Sequence, residues 1–461
     1  MRKDFLLSAV GMLALAACAT GPDYRPRTAS AAAAAPFVHQ QGSAVSAAEP
    51  VGDWWRLYQD RVLDALVLDA LRANTDIRVA VGRLARARAL LRETRSAREP
   101  QLGVGGSAQY GKVPGQRGED VQVGVGLDVA YEVDLFARIG RSVEAARGDV
   151  AAAEADIDAV RVAVVAETTR AYADAASAAE RLAVGQQIVA LLDRSLALTQ
   201  RRYDVGLVNG LDIARIVALR DQRRAELPLL AAARDGALLR LATLTGRTPR
   251  ELPTFAAART ATLRLTQPIP VGNGAQLLAR RPDVRAAERR LAAATARIGV
   301  ATADLYPRIS LGGSAGSSGA GLGNIFGSNP LTWLVGPLIN WSVNRTAARA
   351  RIAGAEADTQ VALAQFDGSM LQALQETETA LTTYRNALAR RAALADASRQ
   401  AETAARITRA RQREGDISSL ELLDAERTAA DALAALALAD AQITEAQIDL
   451  FRSLGGSWTN S

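Results

Sequence analysis

Val121-Gln122-Val123-Gly124-Val125-Gly126-Leu127-Asp128-Val129-Ala130-Tyr131-Glu132-Val133-Asp134 sets an apolar side chain at every odd position and a small or polar one at the even ones. Side chains of a strand alternate between its faces, so one face of this run suits hydrocarbon and the other suits water. The run before it alternates too, with Leu102, Val104, Ala108 and Tyr110 against Gln101, Gly103, Gly105, Ser107 and Gln109. Lys112 to Asp120 separates them as a loop, giving a hairpin over about 101-134. Each run has about the 9–11 residues that a tilted strand needs to cross a bilayer.

The pattern occurs twice. Ile309, Leu311 and Ala315 alternate with Ser310, Gly312 and Ser314, and beyond a Gly/Ser loop Leu331, Trp333, Val335, Ile339 and Trp341 alternate as well, a hairpin over about 308-343. The glycine-rich stretch Gly312 to Gly327 reads as a strand followed by an extracellular loop. Asp76, Arg78, Leu84, Pro100 and Gly105-Gly106-Ser107 recur as Asp283, Arg285, Leu291, Pro307 and Gly312-Gly313-Ser314, all at one offset. A single offset across so many residue types marks a tandem duplication, residues 53-265 and 266-461.

Around the hairpins the period changes to that of a helix. Leu63, Leu66, Val67, Ala70, Leu71, Ile77, Val81 and Leu84 recur three or four apart, which predicts an amphipathic helix over about Asp60 to Arg98, closed by Pro100. Long helices are expected from Phe136 to about Asp204 and from Asn344 to about Glu414. Roughly 70 residues at 1.5 Å each make columns of about 100 Å. Each ends at a glycine turn, Val205-Gly206-Leu207 or Glu414-Gly415-Asp416, before a return helix over Leu211 to Leu244 or Leu420 to Phe451. Alanines spaced along the columns (Ala151 to Ala155, Ala353 to Ala357) permit close helix approach.

The 461 residues carry only 4% aromatics, which fits packed long helices better than a globular core. One cysteine excludes an intrachain disulfide. Arg2 and Lys3 followed by an apolar Phe5 to Ala17 and then Leu15-Ala16-Ala17-Cys18 resemble a bacterial lipoprotein signal, cut to leave Cys18 as an acylated first residue. The expected anchor is an N-acyl and diacylglycerol lipid on Cys18, and Ala19 in place of an aspartate favours delivery to the outer membrane. Residues 18-52, rich in Ala, Pro, Gly and Ser, read as an extended or loosely docked tether in which His39 needs no function. The net charge of +6 is interspersed with acids along helix faces, so nucleic acid is not an expected partner. One histidine and the absence of metal-ligand spacing or a phosphate-cradling motif leave no catalytic constellation, metal site or cofactor, and no enzyme is expected.

A membrane sheet cannot keep free edges, because each unpaired N–H or C=O in hydrocarbon costs several kcal/mol. Four strands cannot close a barrel alone, so several copies must pool them, and the periodicity leaves two, three or four copies open.

Gln276-Leu277-Leu278-Ala279-Arg280-Arg281-Pro282-Asp283-Val284, Trp54-Trp55, Cys18-Ala-Thr-Gly21-Pro22-Asp23-Tyr24 and Leu450-Phe451-Arg452-Ser453-Leu454-Gly455-Gly456 resemble the efflux lipoproteins of the TolC superfamily. The resemblance implies a homotrimer with a shared twelve-stranded β-barrel in the outer membrane and a long α-helical barrel through the periplasm. It also implies docking to a periplasmic adaptor (membrane fusion protein) and an inner-membrane transporter of the resistance-nodulation-division (RND) class.

Ser418-Ser419-Leu420-Glu421-Leu422-Leu423-Asp424 resembles the family's tip motif, and by that resemblance Glu421 and Asp424 line a periplasmic gate. In the first repeat Asp212 matches Glu421, and Arg215 stands where the second acid would be, so a gate network mixing Arg215 with carboxylates is conceivable. Ser418 with Glu421 also reads as a plain capping box. Val205, Gly206, Leu207, Gly415 and Asp416 resemble adaptor-docking tips, and glycine at a helix C-cap accounts for the same residues locally. The function expected is the outer-membrane channel of a small-molecule efflux pump. The alternatives are a protein-secretion conduit and a lipid-anchored coiled-coil scaffold, against which the hairpins argue.

Overall fold

The computed structural model describes residues 20–456 apart from 29, 41, 51, 113–118, 266 and 321–330. The signal segment 1-17 and Cys18 lie outside the described residues, as does much of both hairpin loops. In chain order the main elements are α1 (Arg61–Ala73), α2 (Thr75–Ser96), β1 (Gln101–Gly111), β2 (Asp120–Val133), α3 (Arg138–Asp204), α4 (Gly210–Leu244), α5 (Gly274–Arg280), α6 (Pro282–Ala303), β3 (Arg308–Ala320), β4 (Thr332–Asn340), α7 (Arg345–Glu414) and α8 (Ser419–Ser453).

The chain divides into two compact units, and both repeats contribute to each. The first holds Gly82–Ala155 and Arg285–Ser369 with the N-terminal stretch up to Thr28. Its sheet runs β1-β2-β3-β4, antiparallel throughout. Beneath the sheet, Leu91, Ile139 and Val143 form a buried cluster backed by Ala97, Ala146 and Val150. Helices α3 and α6 meet at Gly148, where a Cβ would come within 2.9 Å of the Ala293 Cβ and 3.1 Å of the Arg289 carbonyl. Arg297 to Asp149 at 2.5 Å and Arg88 to Glu154 at 2.8 Å flank the alanine-lined contacts.

The second unit holds Ala29–Val81, Asp156–Val284 and Met370–Ser461. Leu63, Leu66, Val67 and Ala70 give α1 one fully buried face, worth about 1.5–3 kcal/mol for each large side chain. Asp60 starts that helix, accepting from the Val62 and Leu63 N–H groups, while its other oxygen takes the Tyr172 hydroxyl and Arg259. Trp54 stacks on Phe451 at 4.8 Å, tying the start of the ordered chain to the end of α8. Alanines 401, 405 and 429 form a thin layer between α7 and α8.

Two expectations change in detail. The helix read over Asp60 to Arg98 is two helices, because Asn74 leaves the helical region at ψ 135° and its side-chain oxygen caps the Asp76 N–H at 2.8 Å. Periodicity is blind to such a break, since α1 and α2 both keep their apolar stripes. The segment read as an extended or loosely docked tether makes specific bonds in both units. Thr20 donates to the Phe136 and Gly299 carbonyls in the first. In the second, Glu378 accepts from the backbone of Val38 and His39 and from the His39 ring at 2.9 Å.

Candidate functional site

The sheet registers decide which side chains share a face. Leu102 stands opposite Val129 and Val104 opposite Leu127; Leu127 stands opposite Ala315, and Ala315 opposite Trp333. One face therefore carries Val, Leu, Tyr and Trp across all four strands, and it is open, with Val104 82% and Trp333 73% exposed. The other face is mostly Gln, Gly, Ser, Asp and Glu on β1 to β3, with a bare row at Gly105, Gly126 and Gly316 and with Leu334 and Leu338 on β4. Among the described residues β1 and β4 each have a single neighbour, so each keeps one unpaired edge. An apolar open face is compatible with lipid, and an unpaired edge is costly in hydrocarbon.

At the base of the sheet the turn into α3 is fixed by Asp134, whose two oxygens accept from the Ile139 and Gly140 N–H groups at 2.9 and 2.7 Å. Arg138 grips both oxygens of Glu132. Phe136 stacks on Tyr306 at 4.5 Å, and the Trp341 indole donates to the Leu305 carbonyl. Aromatic rings with a polar handle suit the boundary between lipid and water.

The two glycine turns share one geometry. Leu207 N–H donates to the Arg202 carbonyl and Gly206 N–H to Tyr203; Asp416 donates to Arg411 and Gly415 to Gln412. These nested bonds define a Schellman motif, which requires the left-handed backbone found at Gly206 (φ 78°) and Gly415 (φ 80°). The return helices start at Asn209, which accepts from the Asp212 N–H, and at Ser418, which accepts from the Glu421 N–H. Val205, Leu207 and Leu211 are all more than half exposed at the first turn. At the second, Asp416 pairs with Arg411 at 2.7 Å.

The gate candidates are placed as follows. Glu421 is exposed and accepts from its own cap, the Ser418 hydroxyl, at 3.2 Å. Asp424 is exposed one turn on, and among the described residues its carboxylate has no hydrogen-bond or ion-pair partner. Asp212 is half-buried and Arg215 exposed, and among the described residues no ion pair joins Arg215 to Glu421 or Asp424. A deeper carboxylate escaped the sequence reading. Glu426 is 1% exposed, accepts from the Ser195 hydroxyl at 2.9 and 2.8 Å, and pairs with Arg409 at 3.2 Å. It ties α8 to both columns, and nothing in the local pattern around Asp424 separates it from a solvated acid. Among the described residues no cluster of three His, Cys, Asp or Glu could hold a metal ion.

The profile of the family described as outer membrane efflux protein matches residues 66–247 and again 274–456. The chain belongs to this outer membrane efflux protein family. It is 32% identical to the outer membrane protein OprJ of Pseudomonas aeruginosa, over 97% of this chain and 94% of that one. It is 29% identical to the toluene efflux pump outer membrane protein TtgC of Pseudomonas putida, over 99% and 96%. Among solved structures, the outer-membrane channel OprN superposes with a TM-score of 0.89 at 37% identity, covering 96% of this chain and all of that one. The efflux protein is therefore an outer-membrane channel protein, its relatives are channels and efflux components and not enzymes, and its sheet is the part with a lipid-compatible face.

Proposed function

We propose that three copies of this efflux protein join their sheets, β4 of one to β1 of the next, into one twelve-stranded barrel that a helical barrel continues through the periplasm. The tunnel passes small molecules, drugs and toxic compounds among them, from a periplasmic adaptor and an inner-membrane RND transporter to the exterior. The observation that carries this reading is the pair of unpaired edges on a sheet whose outer face is apolar, because hydrocarbon tolerates no orphaned amides. The toluene named for the relative TtgC supports small apolar cargo. Cys18 carries the N-acyl and diacylglycerol anchor. Glu421, Asp424, Asp212 and Arg215 line the periplasmic gate, and Val205, Gly206, Leu207, Gly415 and Asp416 meet the adaptor.

Purified protein in detergent tests the assembly directly. A trimer mass together with stepwise ion conductance in planar bilayers is the expected result, whereas a monomer that passes no ions overturns it.

A further inference from the structure

On the polar face of β4 two leucines break the pattern. Leu334 stands opposite Ser314 and Leu338 opposite Ser310, and they are 67% and 56% exposed. Leu338 reaches within 2.6 Å of the point where a Cβ on Gly312 would lie, so the bare glycine gives the leucine its seat. Beside it, Gly336 has nothing within 4 Å of its own Cβ position, leaving open backbone between the two leucines. The row Gly103, Asp128, Ser314, Leu334 runs straight across the sheet. Strands lie about 4.8 Å apart, which sets Asp128 about 10 Å from Leu334 on the same face.

Asp128 is exposed and has no hydrogen-bond or ion-pair partner among the described residues. The flanking rows, Gln101-Ala130-Gly312-Gly336 and Gly105-Gly126-Gly316-Thr332, hold no charge on this face, and the Glu132 carboxylate, in the row of Ser310 and Leu338, is already paired with Arg138. An uncompensated carboxylate, an apolar pair two strands away and a side-chain-free floor form a patch complementary to one chemistry. We propose that Asp128, Leu334 and Leu338 form a transit site for amphipathic cations, with the apolar body on the leucines and the positive charge at Asp128. This rests on the reading of the polar face as the tunnel wall. A conduit needs such sites weak and repeated, since cargo must leave as readily as it enters.

The test records single-channel currents of the assembled trimer in planar bilayers, in a Glu421→Gln, Asp424→Asn background so that the tip carboxylates do not contribute. Tetraphenylphosphonium, tetraphenylborate and tetramethylammonium separate charge from apolarity. Tetraphenylphosphonium is expected to give the longest current interruptions, and Asp128→Asn or the pair Leu334→Thr and Leu338→Thr to shorten them about fivefold, the size of one exposed contact. The isosteric asparagine and the strand-forming threonine keep the fold, which the trimer mass verifies. Equal interruptions by all three ions, or dwell times unmoved in every variant, overturn the site while leaving the channel standing. A parent protein that passes no ions removes the channel and the site together.

Discussion

The Arg281 guanidinium grips both oxygens of Asp283, at 3.0 and 2.6 Å, across the corner between α5 and α6. The same group reaches Glu376 at 2.8 Å and the Ser453 carbonyl at 3.0 Å, so one arginine pins that corner to α7 and to the end of α8. Burial pushes the Asp283 carboxyl up, but the bonds and charge of Arg281 and the Val284 N–H outweigh it and hold the carboxyl below its usual range. A depressed carboxyl contributes stability above its unfolded value, near 4, and loses it as pH falls through the folded one. Asp283→Asn should therefore cost about 1 kcal/mol at pH 7, discounted for the partial exposure of the pair. The deficit should shrink toward pH 3. Thermal unfolding of the detergent-solubilised protein at both pH values measures it, and a gap that ignores pH contradicts the assignment.

Arg141 secures the N-terminal segment. Its side chain is 8% exposed and donates to the Thr20 carbonyl at 3.1 Å and to Asp23 at 2.7 Å, while Gly21 lies so close to Gly299 that a Cβ would come within 2.4 Å of the Gly299 Cα. Tyr24 adds a bond to Glu288, and burial first, then Glu288, pushes its phenol up to about 12. Arg141→Ala should release the segment. A nitroxide on a cysteine placed at Arg25 should give a broad spectrum in the parent and a narrow, mobile one in the variant; identical spectra would show that Arg141 holds nothing.

How legible the molecule was depends on whether periodicity or long-range partnering fixes each part. Strand β2 could be read from Val121 to Val133 because every odd side chain shares one face, and the glycine turns because Gly206 and Gly415 interrupt long helical runs. Asn74 was missed because a cap that restarts a helix leaves the apolar spacing intact. Glu426 and Arg141 were missed for another reason: their partners, Ser195 and Thr20, lie more than a hundred residues away. A charged residue on a helix reads as solvated until its distant partner is known. Of the two readings given to residues 18-52, extended or loosely docked, composition could not choose, because the bonds that dock the segment run to distant α6 and α7.

The two exposed carboxylates at the second tip differ in what they can contribute. Glu421 is engaged by Ser418, whereas Asp424 is open, so Asp424 should dominate any cation interaction at this tip. Asp424→Asn is expected to raise single-channel conductance and weaken block by divalent cations, with Glu421→Gln adding a smaller step. Bilayer recordings with and without magnesium decide it; currents unchanged in the double variant would remove both residues from the gate.

The first tip offers three largely exposed apolar side chains on a turn closed by two nested backbone bonds. Apolar groups presented this way suit a partner helix hairpin. Cysteine at Val205 or Leu207 should crosslink to the adaptor in an assembled pump, while cysteine at the mid-helix Leu229, equally exposed, should not. Mass spectrometry of the crosslinked product identifies the pair, and crosslinking at Leu229 alone would move the docking surface away from the tip.

Gly148 and Gly236 separate two reasons for glycine in a helix. At Gly148 an added side chain meets the Ala293 Cβ at 2.9 Å and the Arg289 carbonyl at 3.1 Å, and that carbonyl belongs to a helix backbone that cannot yield. At Gly236 an added Cβ meets nothing within 4 Å, so alanine there only gains helix propensity. Gly148→Val should destabilise the fold by about 2–3 kcal/mol, as overpacking does, and Gly236→Ala should stabilise it by about 0.5–1 kcal/mol. Melting temperatures of the two variants should therefore move in opposite directions from the parent. A Gly148→Val protein that melts with the parent would mean that α3 and α6 stand further apart than their alanines and this glycine require.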